Sequence, residues 1–415
     1  MPRSIVRFAL IAALASCASS AVAQVSSTNC AETEVSLDPA FSVARLDRCG
    51  EDLKAPLLWH LDRIDQVDSV LDGHFDRRNS GAGSVIYVMD TGVMASHGEF
   101  ASANGTTRVI AGFDATNSVD LGRSRCTSDN KATAPCYEII DELAAASHGT
   151  SVASIAAGRN VGVAPEATIV SVRVMNERGL ATTRTYLEGL EAIIRHAWDP
   201  ASPSTRTSIV NISGWVLEKL SGAAVVKPVV TYAAVEQKIR EMIAGVDANG
   251  APDANGKRFL FVVAANNTDG GCGPAGTIDR FPATLGAKIE GVITVGGMTA
   301  DNHSWSGTCR GGVEVLAPAQ GIFSATITAT DHYRGRRPNL RSGTSFAAPI
   351  VSGIAARMLA QRPDLTPQQI EWWIGSTPSR VVDPSAQMAN GRVAHVPMAV
   401  TVAASTKAAH ATLEP

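Results

Sequence analysis

The chain has 415 residues, 45% of them hydrophobic and 18% charged, enough apolar material for a large core and too little charge for a disordered chain. Lys and Arg number 36 against 39 Asp and Glu, a net charge of -3, which argues against nucleic acid or an anionic lipid surface as the main partner because both are gripped by a basic surplus. Glycine at 36 with only 5% aromatics favours tight turns and closely packed elements, as in a compact α/β chain.

The first residues read as an export leader. Arg3 and Arg7 precede an apolar run that begins at Phe8–Leu14 and is too short to span a bilayer. Two processing patterns compete. Ala21-Val22-Ala23 before Gln24 is a small-x-small cleavage site, giving a signal peptide over 1–23. Leu14-Ala15-Ser16-Cys17 resembles a lipobox, giving the alternative leader 1–16 and a lipid anchor on Cys17. Either one sends the protein out of a bacterial cytoplasm, secreted, periplasmic or membrane-anchored. No later stretch is long and apolar enough for a transmembrane helix.

Of the seven cysteines, removal or lipidation of Cys17 leaves Cys30, Cys49, Cys126, Cys136, Cys272 and Cys309. An even number in an exported chain points to disulfides, but sequence cannot choose among the connectivities, of which nearest-neighbour pairing (Cys272 with Cys309 at its end) is one. A metal site is disfavoured, since there is no CxxC and the histidines do not cluster with the cysteines.

Residues 24–53 form a polar arm, 54–405 one domain, and 406–415 a tail. Within the domain, apolar β-branched runs at Ser84–Met89, Ala167–Met175, Ser208–Ile212, Phe259–Ala264 and Gly291–Val295 predict strands buried on both faces. Helical patterns at Ser151–Gly158, Thr183–Trp198, Thr231–Gly245, Ala347–Ala360 and beyond Pro367 alternate with them. Strand–helix alternation predicts an α/β fold, a three-layer doubly wound, mainly parallel sheet with helices on both faces. Its chemistry belongs at the carboxyl ends of the strands. Gly112–Ala146 reads as a long polar surface insertion.

Three segments carry reactive groups. Val85–Gly92 sets Asp90 at a strand end, Ser147–Ala153 sets His148 at a helix start, and Arg341–Pro349 sets Ser345 at the start of an apolar helix. Pro349 is expected in an early helical turn, where its missing N–H costs little. Singly, each residue has a bland role open to it, as a turn residue, a structural histidine or a helix cap. Together they hold what serine chemistry needs: a nucleophile, a base to take its proton, and a carboxylate to orient that base. The order Asp, His, Ser is that of subtilisin. The chain lacks the G-x-S-x-G elbow of α/β-hydrolases, the H-E-x-x-H of zincins and the P-loop.

Asp90-Thr91-Gly92, His148-Gly149-Thr150 and Gly343–Pro349 resemble the three signature segments of subtilisin-like serine proteases, and most of all those of the proteinase K branch. Ala55–Ile64 resembles that branch's mature N-terminal segment, and the likeness extends to Gly391-Arg392-Val393. The resemblance implies a serine endopeptidase, a monomer with polypeptide substrates and no cofactor needed for the chemistry. An inactive binding module or an esterase on the same scaffold is the alternative.

Residue by residue, the resemblance implies an oxyanion donor at Asn267 and substrate contacts at Ser213 and Gly214, in the segment Val210–Trp215. Asn266 stands where the family has glycine, Ser151 where relatives have histidine, and Trp215 where they have smaller residues. Trp215 reads equally as a subsite wall or as packing. A structural calcium is possible, with Glu314 and carbonyls near Glu290 and Val292 as its ligands; the metal set is otherwise unknown.

Overall fold

The computed structural model describes residues 58–65, 71, 75, 79–116, 147–176, 178–218, 229–327 and 339–376, with the backbone of short strand pairs at 37–38 with 43–44 and at 333–334 with 337–338. Seven strands form one parallel sheet: β1 (Val85–Asp90), β2 (Val109–Asp114), β3 (Thr168–Arg173), β4 (Thr207–Ile212), β5 (Arg258–Ala264), β6 (Val292–Met298) and β7 (Val315–Pro318). Their order is β2-β3-β1-β4-β5-β6-β7. The helices are α1 (Trp59–Ile64), α2 (His148–Ala157), α3 (Thr183–Trp198), α4 (Tyr232–Ala244), α5 (Thr344–Gln361) and α6 (Pro367–Ser376).

The continuous apolar runs are explained by two cores, one on each face. Side chains alternate along a strand, so Ile86, Val88, Ile209, Leu260 and Val262 join one core with α1, α2, α5 and α6. Val85, Tyr87, Met89, Val210, Phe259 and Phe261 join the other with α3 and α4. A helix that is apolar on all sides must be buried. α5 is such a helix: Phe346, Ile350, Val351, Ile354 and Met358 are all buried, each contributing about 1.5–3 kcal/mol relative to exposure.

Two strands were not predicted. β2 carries Gly112 inside what reads as a polar insertion, and a Cβ there would lie 2.5 Å from the Ser171 carbonyl oxygen. The glycine is thus part of the strand, beside a register irregularity between Ala111 and Phe113. The insertion begins after Asp114, and its remainder, with Cys126 and Cys136, lies outside the described residues, as do the leader, Cys17, Cys30, Cys49 and the tail. β7 is a short edge strand ending in Pro318, where a missing ladder N–H is tolerated.

Chain order places the active ends together. The chain leaves β1 for β3 and β2 on one side and then for β4–β7 on the other, so the winding switches direction at β1 and β4. Asp90 closes β1, Ser213 follows β4, and Asn266-Asn267 follow β5 at one edge of three neighbouring strands. Cys272 and Cys309 form a disulfide with Cα atoms 5.6 Å apart, closing the segment that follows Asn267.

Candidate active site

Asp90 is fully buried, and its Oδ1 accepts the Thr91 N–H at 2.7 Å. His148 is the first residue of α2, and its Nδ1 lies 2.8 and 3.0 Å from the two Asp90 carboxylate oxygens. An ionised carboxylate only accepts, so Nδ1 carries the proton and Nε2 is left as the basic nitrogen. The close approach depends on Gly149: a Cβ there would lie 2.3 Å from the Gly92 carbonyl oxygen and 3.1 Å from Asp90 Oδ1. Thr91 Oγ1 accepts the Gly149 N–H at 3.0 Å and ties the strand end to the helix start. The Phe346 ring covers the imidazole at 5.3 Å between centroids. Burial first, and the charge of Asp90 second, push the Tyr186 phenol upward.

Ser345 is the second residue of α5, inside its first turn and not its cap, which is Gly343. Backbone N–H groups of a first turn have no partner within the helix. The Thr344 N–H goes to Asn267 Oδ1 at 2.9 Å, and the Thr344 hydroxyl goes to the same oxygen at 2.9 Å. Both bonds hold the Asn267 amide by its oxygen and leave its Nδ2 as a donor. Gly343 has φ 149, and a Cβ there would come within 3.3 Å of that Nδ2.

The Ser345 hydroxyl donates to the Ser213 carbonyl at 3.0 Å. The contact is reciprocal. Pro349 stands sixth in α5, later than the early turn expected, and its missing N–H leaves the Ser345 carbonyl without its helical partner. Ser213 Oγ donates to that carbonyl at 2.8 Å. Asn211 Nδ2 in turn donates to Ser213 Oγ at 2.9 Å, and Ser352 Oγ donates to Asn211 Oδ1 at 3.0 Å. This buried chain fixes the Ser345 backbone from below, and nothing in the local sequence announces it.

Asn266 adopts φ 69, the left-handed conformation that explains why an asparagine can stand in a glycine's place. Ser151, in the histidine's place, donates to the Ala325 carbonyl at 2.8 Å within the core. β4 is paired on both sides, so only the segment beyond its end, from Ser213 to Trp215, is open to a further strand.

Glu314 does not fit a calcium set. Its Oε2 accepts the Thr294 N–H at 2.8 Å, and its neighbour is Glu371, whose Oε2 accepts the Gly291 N–H. Burial, then the charge of Glu371, push the Glu314 carboxyl up to about 9. A hard cation takes about 6–8 oxygens, whereas Glu314 Oε2 and Glu371 Oε2 already accept backbone N–H bonds. Among the described residues, no group of at least 3 His, Cys, Asp or Glu could hold a metal.

The family profile described as "Subtilase family" matches residues 81–393. The chain belongs to the subtilase family. This subtilase is 29% identical over 323 residues to the "Extracellular serine proteinase" of Thermus sp. (strain Rt41A), covering 77% of the chain and 60% of that relative. It is 28% identical over 327 residues to the "Alkaline serine exoprotease A" of Vibrio alginolyticus, covering 78% of the chain and 47% of the relative. The chain therefore spans about half of these relatives' length. Its fold is similar to the crystal structure of a cold adapted subtilisin-like serine proteinase, with TM-score 0.58 and 26% identity, covering 81% of the chain and 97% of that structure. No helix of the described residues is long and apolar enough to cross a membrane.

Proposed function

We propose that this subtilase is an exported serine endopeptidase that cleaves polypeptides through an acyl-enzyme on Ser345. The observation that carries the reading is the Asp90–His148 pair at 2.8 and 3.0 Å, whose His148 lines the same cleft as Ser345 and Asn267. His148 Nε2 takes the Ser345 proton as Oγ attacks the scissile carbonyl, and Asp90 steadies the imidazolium. The new oxyanion is met by the Asn267 Nδ2 and the Ser345 backbone N–H. The proton passes to the leaving amine, the C–N bond breaks, and water then repeats the sequence to release the acyl group. Side chains and backbone donors carry every step, so the chemistry calls for no cofactor.

Export is supported by the leader pattern and by the word "extracellular" in the name of a relative. The test labels the protein with a fluorophosphonate and digests casein in parallel. Expected are a stoichiometric adduct on Ser345, lost in His148→Ala, and internal cleavage of casein. An adduct with ester hydrolysis but no peptide cleavage would move the assignment to the esterase reading; no adduct would leave a binding module.

A further inference from the structure

The cleft beside Ser345 is a cavity of about 180 Å³, smaller than the ~300–1,000 Å³ of a pocket for a drug-sized molecule and suited to one side chain. Its walls beyond Ser345 and Asn267 include Gly214, Trp215, Asn266, Gly270 and Arg280. A Cβ on Gly270 would meet nothing within 4 Å, so that wall leaves the space open.

Arg280 carries the guanidinium on these walls, and none of the lining residues is an acid. Asn266 is 7% exposed, and its Nδ2 is buried with no hydrogen-bond partner. The left-handed backbone accounts for an asparagine over most residues, but a glycine would serve it without burying an amide. The Arg280 guanidinium lies over the Trp215 ring at 5.0 Å to the centroid. Its Nε faces Asp279 Oδ1 at 3.6 Å, too far for a hydrogen bond, and that carboxylate is exposed. The fork of Arg280 thus retains donor capacity that a carboxylate matches in two parallel bonds.

We propose that this cavity receives the side chain of the residue whose carbonyl is attacked, and that Arg280 selects an acidic side chain there. The inference rests on the serine endopeptidase reading. An apolar side chain would desolvate the guanidinium without pairing it, and a lysine or arginine would be repelled by Arg280. Trp215 is then a positioning residue: it holds the guanidinium over its face.

The test uses the full chain and peptides that differ only at the residue before the scissile bond, with Glu, Gln, Phe or Lys there. Glu is expected to exceed Gln by about tenfold in kcat/KM, toward the low end for a charge-assisted bond because the guanidinium is partly exposed. Arg280→Gln should remove that tenfold, Arg280→Lys should keep part of it, and Arg280→Glu should turn the preference toward Lys. The Glu:Gln ratio should also shrink as salt rises. Because the readout is a ratio within one preparation, a general loss of turnover does not mimic it. A wild-type preference for Phe over Glu, or an unchanged ratio in Arg280→Gln, overturns the inference. Fluorophosphonate labelling of Ser345 separates the two levels: a labelled enzyme that does not cleave after Glu overturns the specificity alone, whereas no label and no cleavage overturns the endopeptidase reading with it.

Discussion

Ser213→Ala deletes the hydroxyl that compensates for Pro349. The Ser345 carbonyl, freed because residue 349 has no N–H, would lose its 2.8 Å donor, and the fully buried Asn211 Nδ2 would lose its 2.9 Å acceptor. An unsatisfied buried polar group costs about 1–3 kcal/mol. The carbonyl belongs to a partly exposed residue and lies at the low end, so the sum is about 2–4 kcal/mol. Pro349→Ala restores an N–H at the position from which a helix bonds to residue 345. In that background the carbonyl regains a partner, and Ser213→Ala should cost about 1 kcal/mol less. The double-mutant cycle is measured by urea unfolding with Ser345→Ala present in every variant to prevent self-digestion; that change leaves the backbone carbonyl in place. A coupling of about 1 kcal/mol exceeds the ~0.3–0.5 kcal/mol scatter of independent sites. Additivity within that scatter would refute the account of Pro349 and Ser213.

Asn267→Leu removes the oriented amide and should lower kcat by about 10²–10³ with little change in KM, the magnitude known for one oxyanion donor in subtilisin; steady-state kinetics on one peptide decides it, and a silent substitution would assign the donor elsewhere. Asn266→Val should cost about 1–2 kcal/mol by thermal unfolding, because a β-branched residue is strained at φ 69, whereas Asn266→Gly should be close to neutral in stability; equal effects would contradict the left-handed backbone. Glu314 holds its proton more tightly folded (about 9) than unfolded (4.5), so the folded state binds more protons between those values. Its stability contribution is therefore present below about 4.5 and is lost as pH rises toward 9, with a slope of at most about 1.4 kcal/mol per pH unit. Tm should fall between pH 5.5 and 8, and Glu314→Gln should flatten that fall; an unchanged slope would assign it to other groups.

Much of the fold was legible because its signals are local. Strands buried on both faces read as uninterrupted apolar runs, and β1, β3, β4, β5 and β6 were found that way. The pattern over Thr183–Trp198 has the bounds of the observed helix, helped by Thr182, whose hydroxyl caps the helix by accepting the Thr185 N–H. β2 and β7 escaped because an edge strand needs fewer apolar residues, and Gly112 and Pro318 are ordinary signs of a loop. That strand position takes glycine because the neighbouring chain leaves no room for a Cβ, a fact about Ser171 and not about residue 112.

The sequence by itself determined the three reactive segments and their order, since each is a contiguous motif whose chemistry is carried by its own residues. It also determined the two-sided cores, since alternation along a strand assigns each side chain to a face. Only the tertiary structure decided what surrounds the serine. That Ser213 repairs the hydrogen bond lost at Pro349, that Asn267 is aimed by Thr344, and that Arg280 enters the cleft over Trp215 all depend on groups brought together from different strands and loops. Hydrogen bonds and charges are satisfied in space between residues distant along the chain, and no local pattern records which donor meets which acceptor.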